Sequence, residues 1–136
     1  MTRTKADFKA RRETLGLTQQ DVADAVDVNI STVKRWEKPD YFGAPDDVWV
    51  WLDDCERAQA GVVEQAVSAA LATGQGSVQI TYYRTQEQYD ELGRDSGPFG
   101  LANANARLVA HRLRVLGIDV EFSYPDDDGN VYHGGR

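Results

Sequence analysis

The chain has 136 residues, 41% of them hydrophobic, a formal net charge of −7 and a single cysteine, Cys55. That is material for one ordinary domain or two small ones with a real core, and it excludes an internal disulfide and a cysteine-rich zinc site. No apolar run approaches the roughly 20 residues of a membrane span, and residues 1–12 carry five basic groups with no apolar run behind them, so a cytoplasmic protein with no membrane partner is expected.

Residues 4–15 have helical periodicity, with Phe8 and Leu15 inward and the basic side chains outward, and Gly16 ends the segment. Thr18 then opens a capping pattern, a hydroxyl followed three residues later by the Asp21 carboxylate, which predicts a helix over 19–26. Asp27 and Val28 make a tight turn, Asn29 is placed to cap the next helix, and 30–38 forms that helix up to Pro39. Val22, Ala23, Val26, Val28, Val33 and Trp36 converge on one small core, and the small Ala23 side chain permits a close, roughly perpendicular crossing. Ser31, Thr32, Lys34 and Arg35 are left facing out, with the donors and acceptors that phosphates and major-groove base edges take.

After Pro39, Tyr41 and Phe42 in a short loop are expected to pack on Trp36. Pro45 opens a long helix to about Ala72, with Asp46 and Asp47 in its first turn. Its apolar stripe reads Val48, Trp51, Leu52, Cys55, Ala58, Val62, Ala66, Val67, Ala70 and Leu71. Trp49 lies off that stripe, over the first domain, under the 40–44 loop or in a subunit contact. Residues 77–83 alternate as a half-buried strand, 85–92 form a short capped helix, 101–116 a helix with Leu108, Val109, Leu113 and Leu116 on one side, and 118–124 a second strand. The fold class is therefore mainly α, α+β overall. A helix-turn-helix bundle with its long helix (1–74) precedes a small α+β dimerisation domain (75–136), whose tail, 125–136, has no clear order. Two strands alone are marginal, so they either pair under the helices or are completed by a second subunit.

Charge divides earlier, at the end of the third predicted helix. Residues 1–38 hold eight Lys or Arg against six Asp or Glu, and the other 98 residues hold seven against sixteen. Only the first segment suits a polyanion.

The run LTQQDVA (17–23) through VNISTVKRWE (28–37) resembles the lambda-repressor-like (XRE) helix-turn-helix family nearly position for position. Asp27 stands where that family usually has glycine, and Asp tolerates a left-handed backbone better than most residues. The resemblance implies double-stranded DNA as partner. It places Ile30, Ser31, Lys34 and Arg35 toward base edges, Ile30 toward thymine methyls and Arg35 toward a guanine, and gives Gln19 and Thr32 to phosphates or to buttressing the recognition helix. Thr18, Asn29 and Lys38 complete the candidate DNA-binding set. The wider layout, with the helix start Pro45-Asp46-Asp47-Val48 and the aromatic strand Ile80-Thr81-Tyr82-Tyr83, resembles the anti-CRISPR-associated repressors and the related YdiL-like regulators. That narrower likeness implies a homodimer joined by its carboxy-terminal domain, binding an inverted repeat in its own promoter.

No other motif competes. The run Asp126-Asp127-Asp128-Gly129-Asn130 lacks the alternate spacing and distant glutamate of a calcium loop and reads as a solvated turn. His111 and His133 have no companions at ligand spacing, Cys55 reads as a packed small side chain, and Gly74-Gln75-Gly76 is too short for a phosphate loop. Neither a cofactor, a metal nor an active site is implied, so an enzyme is not expected. A protein-binding module, such as an antitoxin whose acidic half sequesters a basic partner, is the alternative to a repressor.

Overall fold

Side-chain capping marks the start of three of the six helices among the described residues. The computed structural model describes residues 3–127. In α1 (Lys5–Thr14) the Thr4 hydroxyl accepts from the Asp7 N–H at 3.0 Å. In α2 (Gln19–Val26) Thr18 and Asp21 form a reciprocal capping box, the Asp21 N–H donating to the Thr18 hydroxyl (3.0 Å) and the Thr18 N–H to the Asp21 carboxylate (2.8 Å). Asp27 takes the left-handed conformation (φ 59°) that the turn demands. Asn29 precedes α3 (Ile30–Trp36) but makes no side-chain cap bond, and α3 ends two residues before the expected Lys38. There the backbone tightens, Glu37 N–H donating to Lys34 and Lys38 N–H to Arg35, because Pro39 disfavours a helical residue before it.

Helix α4 (Asp46–Ala72) carries a different inward face from the expected one. Val48, Trp49, Leu52, Gln59, Val63 and Val67 are buried, whereas Ala58 is exposed, as are Val62 and Leu71. Apolar spacing alone placed Ala58 and Val62 inward. The buried stripe instead follows α4's neighbours, and Gln59 turns inward because its amide donates to the Thr14 carbonyl, one of the orphan acceptors ending α1 (3.2 Å). Trp49 is a core residue. Its indole N–H reaches the Ala44 carbonyl (3.2 Å), and Phe8 stands edge-on to both Trp49 (5.3 Å) and Trp36 (6.0 Å). Phe42 is 97% exposed, and Tyr41 meets Arg35; the expected packing of both on Trp36 is not observed.

The carboxy-terminal part runs β1 (Ser77–Thr81), α5 (Gln86–Leu92), α6 (Phe99–Val115) and β2 (Asp119–Ser123). The strands pair with each other in parallel, from Ser77 opposite Asp119 to Thr81 opposite Ser123. Both are shorter than their alternating runs, although the Tyr82 N–H still donates to Ser123 beyond the last pair. On α6, Val109 and Leu113 are buried, but Leu116, expected on the same side, is exposed. Asp126 and Asp127 are held by Arg84, whose Nε lies 3.1 and 3.2 Å from the two Asp126 oxygens. His133, the 128–130 part of the acidic run and the rest of the tail lie outside the described residues.

Two cores result. Phe8, Leu15, Leu17, Val22, Ala23, Val33, Trp36, Val48, Trp49 and Leu52 form the first; Val63, Val67, Val109 and Leu113 form the second, under half-buried Val78, Ile80, Ile118 and Val120. Helix α4 serves both. A second tie is the approach of Gly16 (φ +72°) to Gly100 at the start of α6, so close that a Cβ on Gly100 would lie 2.2 Å from the Gly16 carbonyl oxygen.

Candidate nucleic-acid interface

The sequence of α3 sorts its side chains onto two faces. Val33 and Trp36 point into the first core, Ile30 is half-buried against it, and Ser31, Lys34 and Arg35 are exposed, with Lys38 exposed just beyond the helix. Spacings of three, four and seven residues put those four on one outward face. Thr32 is half-buried at its border, and Asn29 is exposed at the helix start with no side-chain cap bond. Thr18 is exposed but its hydroxyl is engaged in capping α2. Gln19 is half-buried and donates to the Glu37 carboxylate at 3.2 Å, so it braces α3 directly. The structure thus brings Ser31, Lys34, Arg35 and Lys38 together outward, keeps Ile30 and Thr32 partly in the packing, and ties Gln19 to the rear of the motif.

What holds that face in place is a polar network that sequence reasoning missed. Arg12, expected outward with the other cations of α1, is buried. It donates through Nε (2.8 Å) and Nη2 (3.0 Å) to the Glu37 carboxylate and through Nη1 to the Leu17 carbonyl (2.9 Å). Glu37 ends α3, so the pair bolts that helix to α1 and to the segment entering α2. Lys5 adds a bond from Nζ to the Trp36 carbonyl (3.2 Å). The signal was present in the spacing: Phe8, Arg12 and Leu15 fall at i, i+4 and i+7, the inward stripe of α1. A basic residue there overrode the usual expectation of exposure because a carboxylate meets it inside.

Pairing also decides which cations are available to a polyanion. Arg3 pairs with Asp46 (2.7 Å), Arg11 with Asp7, Asp53 and Glu56, and Arg12 with Glu37. The Arg11 guanidinium is held more firmly protonated than usual, chiefly by its bond to Glu56. Among the cations of residues 3–38, Lys5, Lys9, Lys34, Arg35 and Lys38 form no ion pair; Lys5 is bound to the Trp36 carbonyl, and three of the other four lie on or beside the outward face of α3. Arg35 lies 5.6 Å over the ring of Tyr41.

Elsewhere the polar groups serve the fold. The Asn103 amide grips the backbone of Tyr83 from both sides, accepting from its N–H (2.9 Å) and donating to its carbonyl (2.8 Å). Cys55 packs against the first core, and burial pushes its thiol up. His111 is exposed on α6. Among the described residues no group of three or more His, Cys, Asp or Glu could hold a metal ion, and no helix is long and apolar enough to cross a membrane. No curated protein matches the chain. Residues 8–38, from α1 through the end of the Lys34–Arg35 face, match the family model described as Helix-turn-helix.

Proposed function

We propose that the chain is a cytoplasmic, homodimeric transcriptional repressor that binds an inverted repeat in a promoter, its own among them, as the likeness to the anti-CRISPR-associated and YdiL-like regulators implies. The observation that carries this reading is the convergence of unpaired cations on one outward helix face whose rear is locked by Arg12, Glu37 and Gln19. Preorganised in this way, α3 enters the major groove without ordering itself first. Lys34, Arg35 and Ser31 read base edges. Asn29, Thr18, Gln19, Thr32 and Lys38 contact phosphates or steady the helix, and Ile30 offers only its outer methyls. Residues 1–74 supply the reading head and 75–136 the dimer contact, which sets two recognition helices about 34 Å apart on one face of the duplex. One motif alone makes few phosphate contacts, so the second supplies affinity through effective concentration.

The test is a gel shift at low ionic strength with duplex fragments from the native locus. Arg35→Ala is expected to weaken binding by roughly 5- to 150-fold and to relax specificity at one position, and Lys34→Ala to weaken it and flatten the salt dependence, both with unchanged unfolding midpoints. A purified protein that ignores every such fragment overturns the proposal. Co-purification of a stoichiometric basic protein on the acidic half would then favour the protein-binding alternative.

A further inference from the structure

We propose that β1 pairs antiparallel with β1 of a second copy about a two-fold axis through Gln79, joining two small sheets into one of four strands in the order β2, β1, β1, β2. The inference rests on the homodimer reading above and assigns it a surface and a register.

The ladder fixes which backbone groups are free. Asp119 N–H donates to the Gly76 carbonyl and Tyr82 N–H to the Ser123 carbonyl, each at 2.9 Å, so the backbone groups of residues 76 and 82 face β2. Alternate residues of a strand point their N–H and C=O to opposite edges, which turns Val78 and Ile80 toward β2 and Ser77, Gln79 and Thr81 away from it. Among the described residues no hydrogen bond reaches the backbone of those three, and all three are exposed. A parallel sheet of two strands with an open edge is marginal and invites a further strand.

The sequence of β1 selects itself as that strand. Ser77-Val78-Gln79-Ile80-Thr81 reads polar, apolar, polar, apolar, polar from either end. A two-fold axis at Gln79 sets Ser77 opposite Thr81 and Gln79 opposite its own copy, and these are the residues whose N–H and C=O point outward, so each becomes a hydrogen-bonded pair. Val78 and Ile80, half-buried on the face that meets the second core, then lie beside the partner's Ile80 and Val78 and extend the apolar layer. Val62, 49% exposed, lines a cleft with Thr81 at the end of this strand and gains cover from the incoming chain. The other edge is unsuited. Antiparallel self-pairing of β2 centred on Val120 or Glu121 sets Asp119 or Glu121 directly opposite another strand's acid or its own copy, a like-charge or charge-against-hydroxyl pairing. No side chain of β1 is charged.

The full-length chain tests this by sedimentation and cross-linking. Gln79→Pro removes only an N–H that points away from β2, so the protomer keeps its ladder while the central pair across the axis is lost. The expected result is a dimeric parent and a monomeric variant with unchanged helical circular dichroism, its dimer dissociation constant raised about 100-fold or more. In a Cys55→Ala background, Gln79→Cys is expected to form an intermolecular disulfide on mild oxidation, since hydrogen-bonded antiparallel partners lie about 5.5 Å apart at Cα, within disulfide reach. Thr81→Cys alone is expected not to cross-link, and to do so when mixed with Ser77→Cys. A parent that sediments as a monomer defeats the homodimer reading and this proposal with it. A dimeric parent whose Gln79→Pro variant stays dimeric, or whose folded Gln79→Cys variant does not cross-link, overturns the strand register alone. Should Gln79→Pro fail to fold, the cysteine pairs decide the matter.

Discussion

The amino-terminal and carboxy-terminal parts of this chain reach order by different means. In the first, Phe8, Leu15, Val22, Val33 and Leu52 are 0–1% exposed, three aromatic rings meet edge to face, and a buried ion pair closes the rear of the motif. In the second, four buried residues sit beneath strands whose inward side chains are only half-buried, and the open edge of β1 faces solvent. A small domain without a disulfide draws its stability from apolar area removed from water, so the reading head is complete by itself and the second core is the thinner one.

Truncating a buried apolar side chain in each core exposes that difference most sharply. Phe8→Ala removes the ring on which Trp36 and Trp49 both lean and is expected to cost about 3–5 kcal/mol, enough to abolish DNA binding through loss of fold. Val67→Ala, a buried position in the second core, is expected to cost about 2 kcal/mol from two methyl-sized groups and the residual cavity. Urea unfolding followed by far-ultraviolet circular dichroism reads both, while tryptophan fluorescence follows the first core alone, because Trp36, Trp49 and Trp51 all lie in or against it. Equal costs per methylene-sized group removed would mean that the two cores are equally well packed.

Next in size comes the ion pair that makes the first region rigid as well as stable. Arg12→Met leaves the Glu37 carboxylate, 6% exposed, with only the Gln19 amide as partner, at an expected cost of about 3 kcal/mol. The double variant Arg12→Met, Glu37→Leu removes both charges together and is expected to lose less than the two single variants summed. The same double variant releases the end of α3 from α1, so its DNA affinity should fall even where its stability recovers. A double variant that regains stability and keeps full affinity would show that packing alone positions the recognition helix.

These residues also mark how far the sequence could be read. The ends of α2, the left-handed Asp27 and the two faces of α3 were legible because capping, turn chemistry and helical period act over three or four neighbours. The inward placement of Gln59 was not, because its reason is the Thr14 carbonyl, 45 residues away in the chain. Arg12 was expected outward although its spacing matches the inward stripe, because the carboxylate that allows burial lies 25 residues on. The strand pairing stood open between two alternatives, since alternation reveals a strand's faces and never its neighbour. Of the candidate site, Ser31, Lys34 and Arg35 were legible from period alone. The engagement of Arg3 and Arg11 by acids of α4 was not, and within residues 3–38 it leaves the unpaired cations mostly on the α3 face.

The smallest expected effect tests whether the two regions act as one body. Gly100→Ala adds a Cβ that would lie 2.2 Å from the Gly16 carbonyl oxygen, a backbone atom that cannot swing aside, so α6 must move off the turn between α1 and α2. The overlap is expected to cost about 1–3 kcal/mol, as overpacking does elsewhere. Because Gly100 touches neither the α3 face nor β1, the variant separates geometry from recognition. Hydrogen exchange should quicken in the first turn of α6 while the amides of α3 stay protected. If the halves must be held at a fixed angle for two α3 helices to meet successive grooves, affinity for a full inverted repeat should fall while affinity for a single half-site stays unchanged. Equal losses on both targets would place the fault inside the reading head, and the Gly16–Gly100 approach would then be a matter of packing only.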